Sequence, residues 1–212
     1  MYHKTLLSHS FKQISMKHLT FLLLGAAFMG LAFTNPASNA PVVYKVDISA
    51  SSVKWTAAKV TGKHFGKVPV KVGTLDINKN KLVGASFEVN MAALTVEDGG
   101  GNENLRKHLN SPDFFATEKN PSATFKSTKV TAKDKAGNYT VVGDMTIKGL
   151  TKSITFDANV IVASGKATGK ATIKLDRTDY DIKFRSGKFF PDLGDKLIYD
   201  EFELEVNLVA SK

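Results

Sequence analysis

From residue 41 onward the chain repeats one pattern: apolar and polar side chains alternate in short runs separated by glycine-bearing turns. The clearest run closes the chain, where Phe202, Leu204, Val206, Leu208 and Ala210 alternate with Glu201, Glu203, Glu205 and Asn207. A period of two puts alternate side chains on opposite faces of an extended strand, so each run is a strand with one dry face. The same alternation marks Tyr44, Val46 and Ile48; Val53, Trp55 and Ala57; Phe87, Val89 and Met91; residues 122–130; the run begun by Tyr139 and Val141 and ending near Met145; Ile154 to Val162; and Ala167 to Leu175. Turns such as Lys135-Ala136-Gly137-Asn138 and Ser164-Gly165 are short enough to join antiparallel neighbours. About eight antiparallel strands, each with one apolar face, hide it in a two-sheet sandwich or in a closed barrel. Ala167, Gly169 and Ala171 follow one another on the inward side of one strand. Side chains that small favour a barrel enclosing a cavity, which eight strands are wide enough to hold; the alternative is that neighbouring phenylalanines fill the space.

Residues 105–125, LRKHLNSPDFFATEKNPSATF, break the alternation. Leu105 and Leu109 are four apart and share one helix face. Ser111-Pro112-Asp113 has the form of a second helix start: N-cap, proline at the first position, acid in the first turn. Phe114 and Phe115 follow, and Asn120-Pro121 ends the excursion. A short greasy helical crossing set among strands is expected to form a lid near 102–119 over one barrel end.

The first forty residues stand apart. Lys17-His18 precedes the apolar run 19–33, followed by small residues to Ala40, the form of a secretory signal. The run of 15 residues is shorter than the ~20 of a spanning helix. Cleavage is expected after Ala40, with Ala32 and Ala37 as alternatives, and Met16 is a candidate start. The expected organisation is therefore a signal and upstream extension over 1–40 and one domain over 41–212, periplasmic or secreted. The chain has no cysteine, which excludes disulfides and a lipidated cysteine anchor.

The formal net charge is +9, of which Lys4, Lys12 and Lys17 contribute three, leaving +6 after residue 40. That excess is spread along strands and not clustered with aromatics, so no nucleic-acid partner is expected. After residue 40 the only histidines are His64 and His108. No histidine pair or cysteine spacing suits a transition metal, and Asp176, Asp179 and Asp181 lack the glycine and distal glutamate of a calcium loop. No serine lies in a G-x-S-x-G setting. No catalytic residue, cofactor or metal is expected.

The run His108-Leu109, Ser111-Pro112-Asp113-Phe114-Phe115, Asn120-Pro121-Ser122-Ala123-Thr124-Phe125 resembles the HLxSxDFF…PxAxF signature of the YceI-like family. Gly143 to Lys152 and the segments Asp176-Arg177-Thr178, Ser186 to Phe190 and Leu193-Gly194-Asp195 resemble it too, in the right order. The resemblance implies an all-β, single antiparallel eight-stranded lipocalin-like barrel, exported to the periplasm and non-enzymatic, that holds a long-chain amphiphile: a polyisoprenoid, isoprenoid quinone or fatty-acid derivative. The apolar pocket residues are then Trp55, Phe87, Val89, Met91, Leu105, Leu109, Phe114, Phe115, Phe125, Phe156, Ile173, Phe202 and Leu204. His64, Arg106, Lys107, His108 and Arg177 are candidates for the headgroup at the mouth, although Arg177 also has Asp176 and Asp179 beside it. Transient membrane contact is expected of such a carrier, and the oligomeric state, a dimer included, is left open. The competing reading is a non-enzymatic interaction module with a filled core that binds a protein partner through its surface.

Overall fold

The computed structural model describes residues 40–212; the signal-peptide reading lies outside the described residues. Ten strand segments form: β1 (Val42–Val46), β2 (Ser52–Lys59), β3 (Gly62–Lys67), β4 (Val70–Asn78), β5 (Lys81–Asn90), β6 (Ser122–Ala132), β7 (Asn138–Ile147), β8 (Leu150–Ala163), β9 (Lys166–Asp176) and β10 (Ile198–Ser211). All pairings are antiparallel, and β1 returns to pair with β10, which closes the sheet. The ten segments make eight staves. β1 and β2 lie along one edge of β10, interrupted at 47–51, where the Asp47 carboxylate accepts the N–H groups of Ser49 and Ala50 and turns the chain outward. That turn corrects the expectation for Ile48, which is 56% exposed rather than inward. β3 and β4 are the second broken stave, joined through Val68-Pro69, with the Val68 N–H on Val53 O.

After β5 a single tight turn, Met91–Ala93, is capped by the Asn90 side chain. The chain then runs on beside β3, with Thr95 N–H on Lys67 O at 2.9 Å and Glu97 N–H on Phe65 O at 2.8 Å. This segment covers an edge that would otherwise be bare. Gly66 permits the approach: a Cβ there would lie 2.0 Å from Thr95 O.

Helix α1 (Glu103–Asn110) starts at Asn102, whose side chain accepts from Leu105 N–H, and carries Glu103 in its first turn. Leu109 is its buried residue. The helix stops at Ser111, held extended (φ −71°, ψ 168°) by the proline that follows. The second helix start expected at Ser111 is thus corrected: Ser111 is a C-cap, and the next residues form turns in which Phe114 N–H and Ala116 N–H both return to Ser111 O.

The barrel's two ends differ. One carries only short connections, at 79–80, 133–137 and 164–165; the other carries the long excursions 91–121 and 177–197. Two ladders are also incomplete. Between β5 and β6 pairing runs only from Asn90↔Ser122 to Ser86↔Lys126, so 81–85 and 127–132 separate at the short-turn end. Between β8 and β9 pairing runs only from Ala163↔Lys166 to Ala158↔Ala171, so 150–157 and 172–176 separate toward the long-loop end.

Candidate binding cavity

Inside the barrel is a cavity of about 180 Å³. Every stave contributes: Trp55, Leu75, Phe87, Phe125, Val141, Phe156, Ile173 and Leu204 are among the residues that line it. Of the apolar residues expected from sequence, Trp55, Phe87, Val89, Met91, Leu109, Phe114, Phe115, Phe125, Phe156, Ile173, Phe202 and Leu204 lie on its wall. Leu105 does not; it is half-buried and packs against the core beside the wall. The strand with small inward residues is divided. Ala167 is fully packed at the short-turn end, whereas Gly169 and Ala171 border the cavity. A Cβ at Gly169 would make an ordinary 3.6 Å contact with Val160 Cγ2, so the glycine is not filling a tight spot.

The long-loop end is roofed by aromatics. Phe114 is buried, with its ring centroid 4.8 Å from that of His108 and 5.6 Å from that of Phe184. His108 stands edge-on to both rings and lies 3.7 Å from Asp113. Lys148 ties this roof to the second long loop, its ammonium donating to Pro112 O at 3.0 Å and Asp181 O at 3.1 Å. The turn that presents Lys148 has positive φ at both Lys148 (51°) and Gly149 (76°), the backbone of a tight hairpin turn.

Arg177 is buried beneath that second loop. Its guanidinium donates to the carbonyls of Tyr199, Ile182, Phe184 and Ile198, and its remaining direction meets the Asp200 carboxylate at 3.0 Å. Burial lowers its pKa, while Asp200 and then Asp176 oppose the shift. With four N–H groups donated to carbonyls and the fifth beside the Asp200 carboxylate, Arg177 pins the loop rather than reaching for a headgroup. Its acid partner is Asp200, not the neighbours Asp176 and Asp179.

Of the mouth candidates Arg177 alone lies on the cavity wall; His64, Arg106, Lys107 and His108 stand off it. Arg106 is held by Glu103 one helix turn away, with two contacts at 2.7 Å. Lys107 is exposed on α1. His64 Nδ1 lies 2.7 Å from Asp98, whose other oxygen accepts Phe65 N–H, so this pair locks β3 to the segment covering its edge. Burial works against the Asp98 carboxylate, but the His64 and Phe65 hydrogen bonds prevail and hold its pKa below the ordinary value. Residues not anticipated from sequence include Val68, Leu75, Leu94, Ile182 and Ile198. The alternation of Leu75 and Ile77 with Thr74 and Asp76 was the available signal for β4. Among the described residues no group of three or more His, Cys, Asp or Glu is placed to hold a metal ion, and no helix is long and apolar enough to cross a membrane.

Residues 44–210 match the YceI-like domain, and they make up most of the barrel just described. The chain belongs to the YceI-like family. A UPF0312 protein of Vibrio parahaemolyticus is 33% identical over 115 residues. That alignment covers 51% of this chain and 60% of the relative, so the chain spans less than two thirds of it. Two solved structures share the fold. BcnA of Burkholderia cenocepacia has a TM-score of 0.62 at 21% identity, covering 78% of this chain and 99% of BcnA. A polyisoprenoid binding domain from Saccharophagus degradans has a TM-score of 0.60 at 14% identity, covering 79% of this chain and 97% of that domain.

Proposed function

We propose that this YceI-like barrel holds a long-chain amphiphile, a polyisoprenoid, isoprenoid quinone or fatty-acid derivative, for transport, storage or sequestration, without catalysis. The observation that carries the reading is an almost wholly apolar cavity inside a closed barrel, lined from all staves and roofed by aromatic side chains. A polyisoprenoid-binding domain with the same fold supports it. Each methylene taken out of water is worth about 0.8 kcal/mol, so ten amount to roughly 8 kcal/mol without any directional contact. Such a chain crosses an aqueous compartment very slowly unaided, and a shell of this kind removes the barrier. The apolar run at 19–33 and the small residues after it suit a cleaved export signal, which would place the carrier in the periplasm or outside the cell. Transient contact with a membrane would load and unload it.

Organic extraction of the purified mature protein followed by mass spectrometry tests the reading. A long-chain lipid is expected in stoichiometric amount. Protein that is lipid-free and also fails to bind any long-chain probe would overturn the carrier and leave a surface-binding module.

A further inference from the structure

The cavity is on the scale of the ~150 Å³ engineered hole that admits one benzene. A long chain therefore needs a place where the wall parts and the chain emerges. The roof is tied down by Lys148 and Arg177, and the short-turn end is packed with Tyr44, Ile77, Ala167 and Ala210, all buried. The wall itself offers the opening. The β8–β9 ladder stops at Ala158↔Ala171, although β8 continues to Leu150 and β9 to Asp176. Farther along, the turn 177–180 that follows β9 packs against β8, with Tyr180 buried in it. At the fork itself the interior cavity and a cleft on the outer surface share four residues: Ala158, Lys170, Ala171 and Val206. Two of those side chains, Ala158 and Ala171, are single methyl groups, and these residues form the last rung of the ladder.

The outer cleft is polar, and its charges are unequal in freedom. Asp157 is engaged by Lys133 at 2.8 Å and by Thr140 at 3.0 Å. Glu205 faces Lys54 at 3.6 Å. Lys170 forms no ion pair or hydrogen bond from its ammonium among the described residues, which leaves it, of the two lysines lining this outer cleft, the one without a carboxylate of its own.

We propose that the ligand passes sideways through the fork between β8 and β9, and that it is an acidic long-chain amphiphile whose carboxylate or phosphate stays outside on Lys170 while the chain lies in the barrel. This rests on the binding reading above. Outward-facing Asp157 and Thr172 are one step past the last paired residues, so an Asp157→Cys/Thr172→Cys disulfide in this cysteine-free chain staples the fork. Ile161→Cys/Thr168→Cys, on residues already paired, is the control. The probes are cis-parinaric acid and its methyl ester, followed by fluorescence in stopped flow. The oxidised staple is expected to slow uptake and release of both probes at least tenfold, with dithiothreitol restoring the rates and the control bond changing nothing. Thr172→Trp, which crowds the same opening without a bond, is expected to slow both in the same direction. Lys170→Glu is expected to weaken the acid at least tenfold relative to the ester. Unchanged rates in the oxidised staple and in Thr172→Trp would overturn the sideways route. Equal effects of Lys170→Glu on acid and ester would overturn the headgroup placement. Failure of the wild type to bind either probe would instead overturn the carrier reading itself.

Discussion

The barrel has two places where neighbouring strands separate, and they are finished in opposite ways. Where β5 leaves β6, hydroxyl groups take over from the missing backbone pairs: Ser127 Oγ accepts Ala85 N–H at 2.8 Å and the Tyr139 hydroxyl accepts Leu82 N–H at 3.2 Å. Leu82, Ala85, Tyr139 and Val141 are all buried behind that seal. Where β8 leaves β9, Ile154, Phe156, Ala158 and Ala171 remain only half-buried, and the insert that fills the far part of the gap carries a tyrosine, Tyr180, whose hydroxyl is buried with no hydrogen-bond partner among the described residues. A buried donor without an acceptor is a cost, whereas a bonded one is a modest gain. One fork is therefore a seam and the other a weak point, and the difference lies in a few polar atoms rather than in apolar packing.

Five variants separate the two, each measured by urea unfolding with the slope checked for constancy. Tyr139→Ala should cost the most, about 3–5 kcal/mol, as truncation of a buried aromatic does. Phe156→Ala at the other fork should cost only about 1–2 kcal/mol, because its ring, which faces the cavity and is only partly buried, loses less buried area. Equal costs would end the distinction. Tyr139→Phe comes next, at about 1–3 kcal/mol, because Leu82 N–H is left buried without an acceptor. Ser127→Ala should cost about 1 kcal/mol for the same reason at a less buried amide. Tyr180→Phe should raise stability by about 1 kcal/mol near neutral pH, since it deletes a buried hydroxyl that has no partner.

The Tyr180 variant also sharpens the comparison in alkali. Burial first, and Asp179 second, push the Tyr180 hydroxyl up to about 12 from 10.0. The folded state then keeps a proton that the unfolded chain has released, so stability should fall as pH rises from about 10 toward 12. Tyr180→Phe should lose less over that interval than the wild type. An identical decline in both would place the alkaline sensitivity elsewhere.

The alternation in the sequence reports which face of a strand is dry, and the barrel follows from it. It does not report which strand lies alongside or where a ladder stops, so neither fork was visible. Even the strand number came out through two offsetting misreadings. The runs around Tyr44 and Trp55 are two halves of one stave, broken by the Asp47 turn. The other broken stave is half legible: β4 carries the alternation of Leu75 and Ile77 with Thr74 and Asp76, whereas β3 sets Gly66 against Trp55 and leaves Phe65 37% exposed, which erases the alternation there. Aromatic lining residues were legible because they are large and periodic. Arg177 lies on the cavity wall, but its anchoring was not legible because its partners are carbonyls of a distant loop and Asp200, and backbone acceptors leave no mark in a sequence. At Ser111, local helix-start chemistry was correct in type but was overruled by the preceding helix, which needed an end.

An unpaired stretch of strand is also a docking template for any other chain that can extend alongside it, and a protein stored at high concentration would polymerise through such a stretch. On β8 and β9 the outward positions of the unpaired stretches include Asp157 and Lys174, with Lys174 bridging to Glu201 at 3.2 Å on β10. An incoming strand would have to bury those charges on either side of itself. The residues that keep the fork wet therefore also keep it solitary: a flexible alkyl chain, which needs no backbone partner, can use an opening that a second polypeptide cannot.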